Sequence, residues 1–243
     1  MSVLALLGAL AIVMAIWLAT GGSHYEEKSL YGIGLFGLFI CGAIFASTSF
    51  NMLNTKDTGI YWISFPASHI EKLLVTLFFN VIVFTVVYTI CFFLLKFLAE
   101  SYVHYLISNA RYPDQYSYNK VNWHQANGFG AYAPNFLYAF FILQAAFVLG
   151  SASFKRFSFI ITLIIIAAML FLTIFYLVKL SKAIIPQGYD YQVVEVWSNN
   201  VNGIHKQYEM NNFLKGFIEV FLKYLLAPFL WFITLYKLRE KEI

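Results

Sequence analysis

The chain reads as long, nearly uncharged apolar runs separated by polar stretches. Six runs stand out, at residues 2–20, 30–50, 73–95, 135–153, 157–178 and 217–236. A helix rising about 1.5 Å per residue needs about 20 apolar residues to cross roughly 30 Å of hydrocarbon, and a helix satisfies its own backbone hydrogen bonds there. The pattern predicts an all-α integral membrane protein: a single transmembrane domain over residues 1–243 with six transmembrane helices.

The first run carries no charge from Ser2 to Thr20. No Lys or Arg precedes it, and it exceeds the about 7–15 apolar residues of a secretory leader, so it reads as a span. The last run is less clean, with Glu219 and Lys223 in its first turns and Pro228 in its middle. Those two charges stand four apart in the order that favours pairing on one helix face, with Lys223 reaching back to the interface. Pro228 predicts a kink that neighbouring helices tolerate.

Composition agrees: 60% of residues are hydrophobic and 12% charged, at a mean hydropathy of +0.70. A soluble domain carries about 25% charged residues, so a soluble fold is excluded. Cys41 and Cys91 both fall inside apolar runs, where a free thiol behaves as a small buried hydrophobe.

Charge orients the bundle. Lys56, Lys72, Lys155, Arg156, Lys237, Arg239 and Lys241 sit in short segments close to spans. Lys28, Lys96, Arg111, Lys120, Lys179, Lys182, Lys206 and Lys215 are diluted over longer ones. The positive-inside rule weighs density in short loops, and Phe154-Lys155-Arg156-Phe157 is the sharpest marker. Both termini are therefore expected to be cytoplasmic, with two larger external loops at about residues 96–134 and 179–216. The net charge of +4 suits contact with anionic membrane lipids. No basic cluster is dense enough for nucleic acid.

Candidate chemistry is sparse. There is no G-x-x-x-x-G-K-[ST] phosphate loop, no H-E-x-x-H, no G-x-S-x-G and no zinc-like Cys/His spacing. His24, His69, His104, His124 and His205 are scattered over loops or loop edges, and Glu26 and Glu27 read as an adjacent, exposed pair. Glu100, Asp114, Asp190, Glu195 and Glu209 read as single loop acids. An intramembrane enzyme would place polar groups in several spans, and these spans are almost purely apolar. No catalytic residue, metal site or cofactor is expected in this chain.

The most informative stretch joins the second and third runs, residues 54–74. A polar turn over Thr55–Gly59 leads into an aromatic stretch, Ile60–Phe65, and the chain restarts at Pro66. Pro66 suits the first turn of a new helix, and Ser68, three residues before Glu71, suits a cap. The whole predicts an interfacial amphipathic element followed by a sharp entry into the third span.

The pattern T-G-I-Y-W-I-S-F-P-A-S-H-I-E-K-L-L at residues 58–74 resembles the G-T-x-x-x-L-L-x-x-P-[AV]-S-R-x-x segment of membrane subunits from the second exporter type of ATP-binding-cassette (ABC) transporters. The closing L-Y-K-L-R-E-K-E-I resembles the C-terminus of bacterial permease-like proteins of that group, which carry P-A-S-x-x-E-K. His69 stands where the pattern has Arg, and Lys56-Asp57 where an acidic stretch is common.

The resemblance implies half of an exporter in the bacterial inner (cytoplasmic) membrane, working as a homodimer or as a heterodimer with a related permease. Thr58, Gly59, Phe65, Pro66, Ala67, Ser68, Glu71 and Lys72 would form its coupling segment against a separate ATP-binding subunit, which would hold ATP and magnesium. Leu238, Arg239, Glu240 and Lys241 would be a cytoplasmic C-terminal motif. Short re-entrant helices are implied outside, at residues 184–213. The alternative is a non-transporting membrane scaffold or partner-binding subunit of a membrane complex.

Overall fold

The computed structural model describes residues 3–21, 24–51, 64, 66–112, 116–120, 129–154, 156–184, 190–193, 196–201, 204–209 and 212–241. Helix α1 (Val3–Thr20) leads through β1 (His24–Glu26) into α2 (Glu27–Ser47). Helix α3 is continuous over His69–Asn109, with a π-helical stretch at Phe78–Val83. Strand β2 (Ser117–Asn119) precedes α4 (Phe129–Ser153) and α5 (Ser158–Ile184). Strands β3 (Asp190–Val193), β4 (Val196–Val201) and β5 (Ile204–Glu209) form an antiparallel sheet in that order. Helix α6 comprises Asn212–Val220, the π-helical Phe221–Leu225 and Leu226–Lys241.

Five helices carry stretches long and apolar enough to cross a membrane: Glu27–Ser47, His69–Asn109, Asn135–Ser153, Ser158–Tyr176 and Gly216–Glu240. Helix α1 presents a shorter apolar stretch, Leu6–Thr20. Packing explains why lipid is the required solvent. In α4 and α2, 44% and 39% of the most apolar window is buried within the chain, whereas α5 and α6 bury 11% each. Ile164, Met169, Phe171, Ile174 and Tyr176 on α5 stand exposed, an apolar patch no soluble monomer sustains in water. The chain is a multi-pass α-helical membrane protein.

Helix α4 lies at the centre, packed against α2, α5 and α6, while α1 packs on α2 and α3. One core joins Leu10, Leu38, Cys41, Phe84, Tyr88, Phe92 and Phe140. A second joins Ala46, Phe50, Leu73, Phe147, Val148 and Leu238. Cys41 and Cys91 are free and buried, as their apolar surroundings predict. Glycines let the helices close. A Cβ on Gly34 would meet the Phe92 ring at 2.2 Å, and one on Gly42 would meet Gln144 Nε2 at 2.7 Å. Tyr88 uses the same approach, donating to the Gly34 carbonyl at 2.6 Å.

Several boundaries depart from expectation. The third helix does not stop at residue 95. It has 41 residues, about 60 Å of helix against roughly 30 Å of hydrocarbon, so it projects well past one face. The segment expected to begin a loop at Lys96 is helical to Asn109. The second helix starts at Glu27 and ends at Ser47 rather than spanning 30–50. The short re-entrant helices expected between α5 and α6 are replaced, among the described residues, by the β3–β4–β5 sheet. Around Pro228 the chain stays helical, with the π turn Phe221–Leu225 just before it. A proline removes one backbone donor, and a π turn is one way a helix absorbs that loss.

Candidate functional site

Among the described residues, those of the candidate coupling segment and of the C-terminal motif lie at one end of the bundle, where α2 and α4 end and α3 and α5 begin. At this serine end the helices are joined to one another by hydroxyl and amide hydrogen bonds. Helix α3 starts at His69 with Ser68 as its cap. The Glu71 amide donates to Ser68 Oγ at 3.3 Å, and the Ser68 amide donates to Glu71 Oε2 at 2.8 Å. This reciprocal box satisfies two amides that a helix start leaves orphaned. The expected Ser68–Glu71 cap is present, but Pro66 lies two residues before the cap and not in the first helical turn. Pro66, Ser68 and Glu71 are exposed and Ala67 and Lys72 half-buried. Thr58, Gly59 and Phe65, together with the aromatic stretch except Ser64, lie outside the described residues.

Two connections tie that exposed turn into the bundle. Leu73 and Leu238 are buried in one cluster with Phe50, Phe147 and Ala152, so the second turn of α3 and the last turns of α6 share one core. The structure thus places the described part of the candidate coupling segment, residues 66–72, at the same end as the C-terminal motif. Leu238 is the buried member. Arg239 and Glu240 are exposed, Glu240 accepts from Lys237 Nζ at 2.6 Å, and Lys241 ends the helix.

The second connection is a chain of hydroxyls and amides. Asn80, buried in the π-helical stretch, donates through Nδ2 to Ser49 Oγ at 2.7 Å and to the Thr76 carbonyl at 2.8 Å. Ser158, at the start of α5, donates to the Ser47 carbonyl at 2.9 Å. The end of α2 is therefore bonded to both α3 and α5. Between α4 and α5, Phe157 takes φ 52°, a left-handed conformation that a bulky side chain rarely adopts, and its ring is 74% exposed. Arg156 beside it is exposed.

The opposite end holds a site the sequence reading missed. Lys96 Nζ donates to Glu27 Oε1 at 2.7 Å and to Tyr31 OH at 2.8 Å, and stands 3.3 Å from Glu100 Oε1. It also lies 4.5 Å from the centre of the Tyr31 ring. Tyr118, on β2, donates to Glu100 Oε1 at 2.6 Å. Burial and the Glu100 carboxylate together push its phenol above the usual range. Glu27, expected to be exposed, is 7% exposed. Glu100 is a helical residue and not a loop acid. Strands β1 and β2 pair in parallel, His24 opposite Ser117 through Glu26 opposite Asn119, and His24 Nδ1 lies 2.8 Å from Ser117 Oγ. His104 meets the Tyr118 ring edge-on. Two histidines are thus drawn to one place, yet no group of three or more metal-ligating residues forms among the described residues.

Some polar groups lie within the spans despite the apolar pattern. Gln144 is fully buried and neither amide atom has a hydrogen-bond partner among the described residues. Thr162 Oγ1 is likewise buried and unpartnered, at the notch that Gly150 leaves. Lys223 bonds Glu219 one helical turn away, as the spacing predicts, beneath a contact between the Tyr138 and Tyr224 hydroxyls at 3.2 Å. Comparison of the chain with protein-family models, with curated proteins and with solved structures gives no match.

Proposed function

We propose that the chain is the permease subunit of an ATP-driven exporter of the second ABC type, with its serine end in the cytoplasm. Helix α1 joins the five longer helices as a sixth span, since its 18 residues make about 27 Å of uncharged helix. Seven of the sixteen cations belong to the short segments of the serine end, against four of the twelve acids, the bias expected of a cytoplasmic face.

The observation that carries this reading is the joint between the capped turn and the bundle. A subunit that receives force from outside the membrane needs a rigid, exposed element whose movement cannot dissipate before it reaches a span. The box at Ser68 and Glu71 makes the helix start rigid, and the burial of Leu73 and Leu238 in one apolar cluster carries its position to α6. In this scheme Pro66, Ala67, Ser68, Glu71 and Lys72 dock a separate ATP-binding subunit, which supplies ATP and magnesium. Two permease chains close and open between them across the inner membrane.

Purification from native membrane in mild detergent is expected to recover the chain with a nucleotide-hydrolysing subunit. A Pro66→Ala, Ser68→Ala double variant is expected to release that subunit while the permease stays folded. Recovery of the chain without an ATPase, but with a stable non-ATPase partner, would instead identify a scaffold.

A further inference from the structure

We infer that the groove between the first turns of α3 and the last turns of α6 seats one acyl chain of an anionic phospholipid. It is about 590 Å³ in volume, and its walls include Leu74, Val75, Phe78, Phe79 and Ile82 on α3 with Trp231 on α6. This inference rests on the membrane setting and the groove itself, not on the transport reading.

Three features choose the occupant. The first is the lining, which is entirely side chains with apolar bodies. The π-helical stretch contributes here, because Asn80 turns away from the groove to bond Ser49 and leaves Phe78, Phe79 and Ile82 at the wall. A polar substrate would find no hydrogen-bonding partner along this wall, since the indole Nε1 of Trp231 is itself buried.

The second is depth. Leu74 lies two residues inside Lys72, and Ile82 eight residues farther, about 12 Å along the helix axis. On the opposite wall Arg239 lies eight residues, again about 12 Å, beyond Trp231. The groove therefore starts near the headgroup boundary and runs into a single leaflet, the disposition of a lipid tail.

The third is charge at the mouth. Of the two acids nearest on these helices, Glu240 is paired with Lys237, while Glu71 keeps its charge and accepts from the Ser68 amide. Arg239 is exposed with no ion-pair partner among the described residues. Lys72, Lys237 and Arg239 against Glu71 and Glu240 leave a net positive charge to meet a headgroup, so the complementary lipid is anionic.

The test uses the groove's own fluorophore. The other four tryptophans, Trp17, Trp62, Trp123 and Trp197, are replaced by Phe, and the full chain is reconstituted into vesicles containing phosphatidylglycerol or phosphatidylcholine brominated on the acyl chains. Trp231 emission is expected to be quenched saturably at a low fraction of the brominated anionic lipid. Arg239→Gln should raise the fraction required about five-fold, the effect of one cation near a membrane surface. Quenching that simply tracks bulk bromine content in both lipids would overturn the proposal. So would protection of Trp231 in both, which would mean that protein covers the groove, either a second copy or another segment of this chain.

If the four-fold replacement does not fold, native mass spectrometry of the unaltered chain gives the same decision. Val75→Trp, which fills the groove, should release a retained phosphatidylglycerol that Ile164→Trp on the exposed face of α5 does not. Equal retention in the two variants would also overturn it.

Discussion

The two ends of α3 are fixed by opposite chemistry. Toward Asn109 the helix is held by a charged cluster in which Lys96 reaches Glu27, Tyr31 and Glu100, while Tyr118 closes over Glu100. Toward His69 it is held by hydroxyls and amides: Ser68 with Glu71, Asn80 with Ser49, and Ser158 with the carbonyl of Ser47. The difference lies in where charge remains available. At the lysine end the lysine and both carboxylates are spent on one another, which suits a region whose task is to stay in place. At the serine end the helices are joined without consuming Arg156 or Arg239, so charge remains for a partner outside the chain.

The largest effect is expected where charge is buried. Removing one member of a buried ion pair costs about 3–5 kcal/mol, because the partner is left uncompensated. Lys96→Met should therefore lower the thermal unfolding midpoint in detergent more than any change at the serine end. Adding Glu27→Gln should recover most of that loss, since replacing both partners of a buried pair is often close to neutral. A double variant as damaged as the single one would show that the hydrocarbon stem of Lys96, and not its charge, fixes this end.

A smaller loss is expected at Asn80. Asn80→Leu removes the donor to Ser49 and to the Thr76 carbonyl, at a cost of about 1–3 kcal/mol for groups left without partners. Its Oδ1 is unpartnered already, which pulls the expected value toward the lower limit. Combining it with Ser49→Ala should bring the midpoint back toward the parent. Equal midpoints for Asn80→Leu and the parent would mean that the apolar packing around Leu73 and Leu238 holds the serine end by itself.

The contrast also explains what could be read in advance. The membrane address followed from uncharged runs because lipid filters composition directly, and the cap at Ser68 followed because its partner, Glu71, is three residues away. The burial of Glu27 is hidden for the opposite reason. Its partner is 69 residues distant, and an acid beside another acid and a lysine looks solvated until that partner is known. The same long-range pairing let α3 continue through Lys96, where a charge at the end of an apolar run looks like a stop. The β3–β4–β5 sheet did leave a local signal: Asn202-Gly203 stands between two runs rich in β-branched and aromatic residues, a strong hairpin cue. The buried Gln144 and Asn80 were visible as residues but not as sites, since an apolar run does not say which face of a helix is inside.

The finest test of the comparison is Ser68→Ala. It removes a single cap hydroxyl and should cost about 1 kcal/mol of helix stability, the smallest of these effects. Because the box is reciprocal, the Glu71 carboxylate can still accept from the backbone amide at residue 68, so the first turn should fray without unravelling. Hydrogen exchange should rise at the amide of Glu71, which donates to the Ser68 hydroxyl, and remain unchanged at Lys96 and beyond. Exchange rising at both ends would mean that α3 moves as one rigid rod. Exchange rising only at the start would mean that the charged cluster and the capped turn are independent anchors, so that a partner acting on the serine end moves that end against a fixed opposite one.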